Sequence, residues 1–199
     1  MQLKHKPYSE SCDQNRDPIL RVIRPLLENA RSVLEIGSGT GQHAVYFGAH
    51  LPHLVWQPSD CAEYLPGIRL WLEEAALANV APVLQLDVTD TWPALTVDAI
   101  FSANTAHIMH WRMVEAMVKG AGHALCSNGR FILYGPFNYH GQYTSDSNAR
   151  FDAWLKARDP ESGVRDFEKI DTLARAAGMN LSGDFAMPAN NRILVWQRT

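Results

Sequence analysis

The sequence predicts an α/β domain, a mostly parallel β-sheet covered by helices on both faces and finished by an antiparallel hairpin. Three observations predict it. Short apolar or β-branched runs alternate with helical stretches along the 199 residues, as crossover connections require. One of those runs, Val33–Ile36, leads straight into a turn with glycines at 37, 39 and 41, and a helical stretch follows. The end of the chain, Asn180–Gln197, reads as two strands joined by a turn around Pro188–Asn191.

The elements follow in order. The first helix is expected to open at Asp17–Pro18, with Asp17 as N-cap and Pro18 in the first turn. Ile19, Leu20, Val22, Ile23, Leu26 and Leu27 give it an apolar face. Pro25 conflicts with that reading, because an interior proline removes a hydrogen bond. Strands are expected over Ser32–Ile36, Leu54–Gln57, Val83–Leu86, Val97–Ser102 and Gly129–Tyr134, with helices over Gln42–His50, Ala62–Ala78 and Trp111–Leu125. Gly135–Asn148 reads as a long polar and aromatic loop. Helices over Ala149–Ala157 and Asp166–Ala177 come next, and Gly178 stops the second. Without repeats, low-complexity tracts or a dividing linker, the reading is one domain over 1–199. Within it 1–30 is an N-terminal lid or helix, and 135–178 is an elaborated region after the fifth strand.

Composition narrows the function classes. Hydrophobic residues make up 46% of the chain, enough for a sizeable core. A net charge of −3 speaks against strong nucleic-acid binding, which needs a basic face. No apolar run approaches the roughly 18 residues of a membrane span, and Met1–Glu10 lacks the apolar stretch of a secretory signal. Cys12, Cys61 and Cys126 are far apart, without a C-x-x-C pair. The eight histidines form no metal constellation, so no metal is expected. No G-x-S-x-G elbow points to a serine hydrolase. A cytoplasmic protein acting on a small molecule, away from membranes and nucleic acid, is expected; the oligomeric state stays open.

The string V-L-E-I-G-S-G-T-G (Val33–Gly41) carries the strongest signal. Glycines let the backbone turn sharply and let a ligand approach main-chain N–H groups at a helix N-terminus. A nicotinamide or flavin turn would read G-x-G-x-x-G; here the third glycine comes one position early. The spacing, with Glu35 two residues before Gly37, resembles the turn of class I methyltransferases that use S-adenosylmethionine (SAM). That resemblance assigns Gly37, Gly39 and Gly41 to the cofactor's amino-acid and ribose end, with Glu35 holding its ammonium directly or through water. Asp60 follows the second strand, 19 residues after Gly41, near the interval at which a carboxylate accepts from ribose hydroxyls. Ser59 competes with it for the strand tip. Asp87 ends the third strand, where methyltransferases often bind the adenine amine; a loop-capping aspartate is the alternative for both acids.

The whole chain, from about Tyr8 to Arg198, resembles a poorly characterised family of class I SAM-dependent methyltransferase-like proteins found in bacteria and animals. The resemblance rests on N-R-D-P-I-L (Asn15–Leu20), L-E-I-G-S-G-T-G-Q-H-A (Leu34–Ala44), W-Q-P-S-D (Trp56–Asp60), N-T-A-H-I (Asn104–Ile108), Y-G-P-F (Tyr134–Phe137), Ser147–Pro160 and M-P-A-N-N (Met187–Asn191). It implies a Rossmann-like class I methyltransferase fold with a seven-stranded sheet, and SAM as cofactor. It supplies no substrate, since fold is a weak warrant for chemistry.

Ligands of open α/β sheets sit beyond the carboxyl ends of the strands. Asn104, which can also touch the cofactor, and Thr105 can orient a methyl acceptor there. His107 is either the base that takes its proton or a packing histidine, its ordinary pKa near 6.5 suiting the first role. Phe137, Tyr139 and Tyr143 can wall a small-molecule pocket. Arg16, beside Asn15, can fork onto the SAM carboxylate or pair with Asp13 or Asp17 instead. His110 and Trp111 read as packing at a helix start, and Arg150, Arg158, Asp159, Arg165 and Asp166 as an ion-paired face. The expected activity is methyl transfer to an unidentified small molecule. The alternatives are a non-catalytic SAM-binding sensor or partner subunit and, against the glycine spacing, a nicotinamide-dependent oxidoreductase.

Overall fold

The computed structural model describes residues 5–199; the readings of Met1–Glu10 and of 1–30 fall partly on 1–4, outside the described residues. In chain order the elements are α1 (Glu10–Leu26), β1 (Ser32–Ile36), α2 (Gln42–His50), β2 (Val55–Asp60), α3 (Leu65–Ala75), β3 (Leu84–Gln85) and β4 (Val97–Ala103). There follow α4 (Trp111–Ala124), β5 (Leu125–Gly135), β6 (Phe137–Asn138), α5 (Asp146–Arg158), β7 (Arg165–Asp166), α6 (Phe167–Ala176), β8 (Met179–Ala186) and β9 (Arg192–Arg198), with a 3₁₀ turn at Pro188–Asn190 before the last strand. The sheet runs β3-β2-β1-β4-β5-β9-β8. Strand β1 pairs in parallel with β2 and β4, while β9 is antiparallel to both β5 and β8. The α/β class, the mostly parallel seven-stranded sheet and the antiparallel terminal hairpin are those the sequence predicts.

The backbone groups into two compact units. One runs through Asp87 and includes Val97–Ser102; the other takes Val88–Thr96 and Ala103–Thr199. The core of the first is an aromatic cluster: Phe47 lies 5.4 Å from both Trp56 and Phe101, and all three are 0% exposed. In the second, Trp196 stacks on Phe131 at 5.7 Å, and its indole N–H donates to Asp171 Oδ1 at 3.0 Å. Gly122 packs so closely on Ala177 that a Cβ would collide with it.

Two expectations are corrected. The first helix begins at Glu10 with Ser9 as N-cap, not at Asp17, and it continues through Pro18; Pro25 sits in its last turn. An interior proline costs about 3 kcal/mol. Burial of Ile19, Leu20, Ile23 and Leu27 offsets it, at about 1.5–3 kcal/mol per side chain. Polar ties to α2 add to this: the Ser9 N–H donates to Gln42 Oε1 at 2.6 Å, His43 Nε2 meets Asn15 Oδ1 at 2.7 Å, and the Tyr46 hydroxyl donates to Asp17. The second correction concerns Gly135–Asn148, which is not one loop. It contains β6, paired with β7, and a turn closed by Tyr139 and Gln142, and α5 begins at Asp146.

Candidate functional site

In the first unit the parallel register gathers three strand ends. Glu35 lies opposite Pro58 and Ile36 opposite Ser59, while Asp60 lies opposite Gln85. The Leu86 N–H donates to Asp60 O at 2.9 Å, so Asp87 emerges next to Asp60. After β1 the chain turns on Gly37, Gly39 and Gly41, at φ 72°, 57° and 92°, left-handed values that other residues adopt only with strain. The Gly37 and Ser38 N–H groups both donate to Ser59 O at 3.0 Å, which sets the turn against the end of β2. A Cβ on Gly39 would meet nothing within 4 Å, whereas one on Gly41 would press on Ile68 and Trp71. Gly39 thus opens on free space, and Gly41 is the packing glycine.

Two carboxylates serve this turn. Glu35 is 2% exposed, and its Oε2 accepts from Ser38 Oγ at 2.9 Å and from Trp56 Nε1 at 3.0 Å. Its Oε1 accepts no hydrogen bond among the described residues. Burial pushes the Glu35 carboxyl up to about 7, against the pull of the Trp56 and Ser38 hydrogen bonds. Asp60 accepts the Gly39 N–H on Oδ2 at 2.7 Å and the Cys61 N–H on Oδ1 at 2.8 Å. Burial raises its pKa, and those two main-chain bonds counter the rise. The remaining lone pairs of Asp60 and the unclaimed Glu35 oxygen are acceptors suited to ammonium, hydroxyl or amine donors. Ser59 gives its hydroxyl to Glu35 O at 2.6 Å and is 0% exposed, so it is committed to the sheet. Asp87 is half-buried. Arg16 pairs with Asp13 at 2.6 Å and lies over the Tyr46 ring at 4.7 Å.

In the second unit Asn104 follows β4 at φ 59° and donates its N–H to Tyr134 O at 2.9 Å. Thr105 turns the chain, its carbonyl accepting from Ile108 and Met109. His107 is 6% exposed and edge-on to Phe151 at 5.2 Å. Burial, helped by the Arg165 charge, lowers its pKa to about 4, so at neutral pH the ring is uncharged and a weak base. Arg165 clamps this loop: it donates to the carbonyls of Ala106 at 3.0 Å, of Met109 and of Glu161 at 2.8 Å. His110 bridges Asp159 at 2.8 Å and Glu161 at 2.6 Å. The sequence reading of Arg165 as part of an ion-paired face is corrected, since its partners are main-chain carbonyls. Phe137 is 1% exposed and belongs to the core. Tyr139 stacks on Phe167 and donates to Asp184 Oδ2 at 2.9 Å; Tyr143 donates to the buried Asp152 at 2.6 Å.

Three residues escaped the sequence reading. His43 and Trp56 sit beside the turn, His43 with its pKa lowered to about 4 by burial. Asn138 is buried with its Oδ1 unpartnered. Only Trp56 had a sequence signal, as an aromatic in a strand 21 residues from the acid it binds. A cavity of about 500 Å³, lined by Trp92, Lys119 and His123 among others, contains none of the expected site residues. Among the described residues no group of three or more His, Cys, Asp or Glu could hold a metal ion, and no helix is long and apolar enough to cross a membrane.

Several solved structures share this fold. A putative O-methyltransferase from Nostoc punctiforme superposes with a TM-score of 0.81 at 16% identity, over 94% of this chain and 56% of that one. The SAM-dependent methyltransferase SibL gives 0.79 at 21% identity, over 94% and 55%. An O-methyltransferase family protein from Burkholderia thailandensis gives 0.77 at 16% identity, over 94% and 59%. The chain therefore spans little more than half the length of these structures, and at such identities the likeness is one of fold. In sequence the match is direct over residues 6–198, and the chain belongs to the family described as protein of unknown function DUF938.

Proposed function

We propose that this chain binds SAM at the Gly37–Gly41 turn and is a methyltransferase for a small molecule. One observation carries the reading: the buried Glu35 carboxyl beneath the turn keeps Oε1 unclaimed while Oε2 is fixed by Ser38 and Trp56. A carboxyl placed so, with a pKa near 7, gains most from a cationic partner such as the ammonium of an amino acid. The open space over Gly39 admits the rest of such a ligand. Asp60, at the next strand end, offers acceptors to ribose hydroxyls, and Asp87 to an adenine amine. When bound, SAM supplies an electrophilic methyl group on a sulfonium. The methyl acceptor is assigned to Asn104, Thr105 and His107, with Tyr139 and Tyr143 around it, and Arg16 to the SAM carboxylate.

A second reading, a SAM-binding protein without turnover, draws support from the weak basicity of His107, which suits hydrogen bonding better than proton removal. Isothermal titration with SAM, its demethylated product and NAD tests the site. SAM and its product bind and NAD does not, if the proposal holds; tighter NAD binding overturns it. Incubation of labelled SAM with a metabolite extract then separates enzyme from sensor.

A further inference from the structure

A cavity of about 500 Å³ is lined on one side by the connection from β3 to β4 and on the other by the C-terminal half of α4. All of its lining residues belong to the second unit. Helix α4 runs into β5 at Leu125, and Ala124 lines the cavity, which therefore borders the amino end of β5. Asn104 is tied to the other end of that strand, its N–H on Tyr134 O. Leu125 and Tyr134 are about 30 Å apart along an extended strand, so the cavity is separate from Asn104 and the residues that follow it.

Two features shape its walls. Trp92 donates its indole N–H to Val88 O at 3.1 Å, which fixes the ring. The ring lies against α4 at Gly120, where a Cβ would come within 2.3 Å of Cε2 and Cζ2. Glycine is unfavourable inside a helix; here its missing side chain admits the indole. Trp92, Leu95 and Ala116 give the cavity an apolar body. Lys119 and His123 line it as well, and residues four apart share one face of a helix. Neither the Lys119 ammonium nor the His123 ring has an ion pair or hydrogen bond among the described residues. Donors without acceptors beside an apolar body suit a ring that bears an anion. Asp90, on the side of the β3–β4 connection, is likewise unpaired among the described residues. Its charge opposes a second negative charge on a ligand, which favours a carboxylate over a doubly charged phosphate.

We propose that this cavity binds an aromatic monocarboxylate, its carboxylate on Lys119 and His123 and its ring beside Trp92. The site is independent of the methyltransferase reading, since no residue assigned to SAM or to the methyl acceptor lines it.

Naphthoate, naphthamide and naphthyl phosphate serve as probes, titrated into the full chain at pH ~7.5, where a phosphate monoester is mostly a dianion. Binding is read by NMR from the Trp92 indole N–H signal, assigned with Trp92→Phe. Naphthoate binds the wild-type protein at least about fivefold more tightly than the uncharged amide of the same shape, the scale of one charge-assisted hydrogen bond. It also binds at least as tightly as the phosphate ester. Lys119→Met brings acid and amide within about twofold of each other and leaves the unfolding temperature unchanged, because Lys119 has no partner in the fold to lose. Equal binding of acid and amide by the wild-type protein overturns the proposal, and that comparison needs no variant to fold. An acid preference that survives Lys119→Met overturns it too, since the carboxylate then sits elsewhere. Tighter binding of the phosphate ester overturns the assignment to a monocarboxylate.

Discussion

Replacing Glu35 by glutamine tests the chemistry of the glycine turn most directly. The carboxyl is displaced from 4.5 to about 7, chiefly by burial. One pKa unit corresponds to about 1.4 kcal/mol, so the charged form is disfavoured by about 3 kcal/mol relative to water. The sign follows from proton binding. Between these two values the folded protein holds a proton that the unfolded chain has lost, so Glu35 contributes stability below the unfolded pKa and loses it as pH rises toward 7. An ammonium set against Oε1 requires the charged form, and binding must expel the proton. SAM affinity should therefore rise about twentyfold between about pH 5.5 and about pH 7.5, with nearly one proton released at the acid end and about a quarter of one at the upper end. Glu35→Gln keeps the shape and an acceptor for Ser38 and Trp56. It should abolish both the pH dependence and the proton release, and weaken SAM at pH ~7.5 by about 1–3 kcal/mol. The ligand-free variant should be more stable at that pH by up to about 3 kcal/mol. Calorimetry in buffers of different ionisation enthalpy counts the protons, and scanning calorimetry reads stability. A pH-independent SAM affinity in the wild-type protein would refute the pairing.

Two further outcomes follow from the same structure. Asp60→Ala should weaken SAM by about 1–3 kcal/mol and also lower chemical-denaturation stability by a similar amount, because it strips hydrogen bonds from the Gly39 and Cys61 N–H groups; loss of affinity with unchanged stability would contradict the geometry. His43 and His107 both have pKa values lowered to about 4 by burial. The unfolded chain binds protons at these positions below about 6.5, so each gives stability above that pH that is lost as pH falls toward 4. Glutamine at both positions should flatten the acid limb of a denaturation series from about pH 6.5 to about pH 4, where Glu35 acts in the opposite sense.

The sequence by itself determined what is local. Hydropathy runs placed β1 over Ser32–Ile36 and α2 over Gln42–His50 with the bounds observed, and glycine stereochemistry located the turn between them. Gly178, at φ 78°, stops α6 as expected, and the hairpin turns at Pro188–Asn190. Tertiary structure decided what depends on residues far apart in the chain. The first helix passes through Pro18 because side chains of α2, some 28–33 residues on, hold it; a local rule sees only the missing N–H. Glu35 was legible as an acid before a glycine turn, but its displaced pKa and its one unclaimed oxygen come from Trp56 and from burial. Asn138 looked like one more polar residue in a polar stretch. Its orphaned oxygen exists because β6 pairs with a segment 28 residues later. Conformational preference is written residue by residue, whereas desolvation and hydrogen-bond satisfaction are properties of the folded neighbourhood.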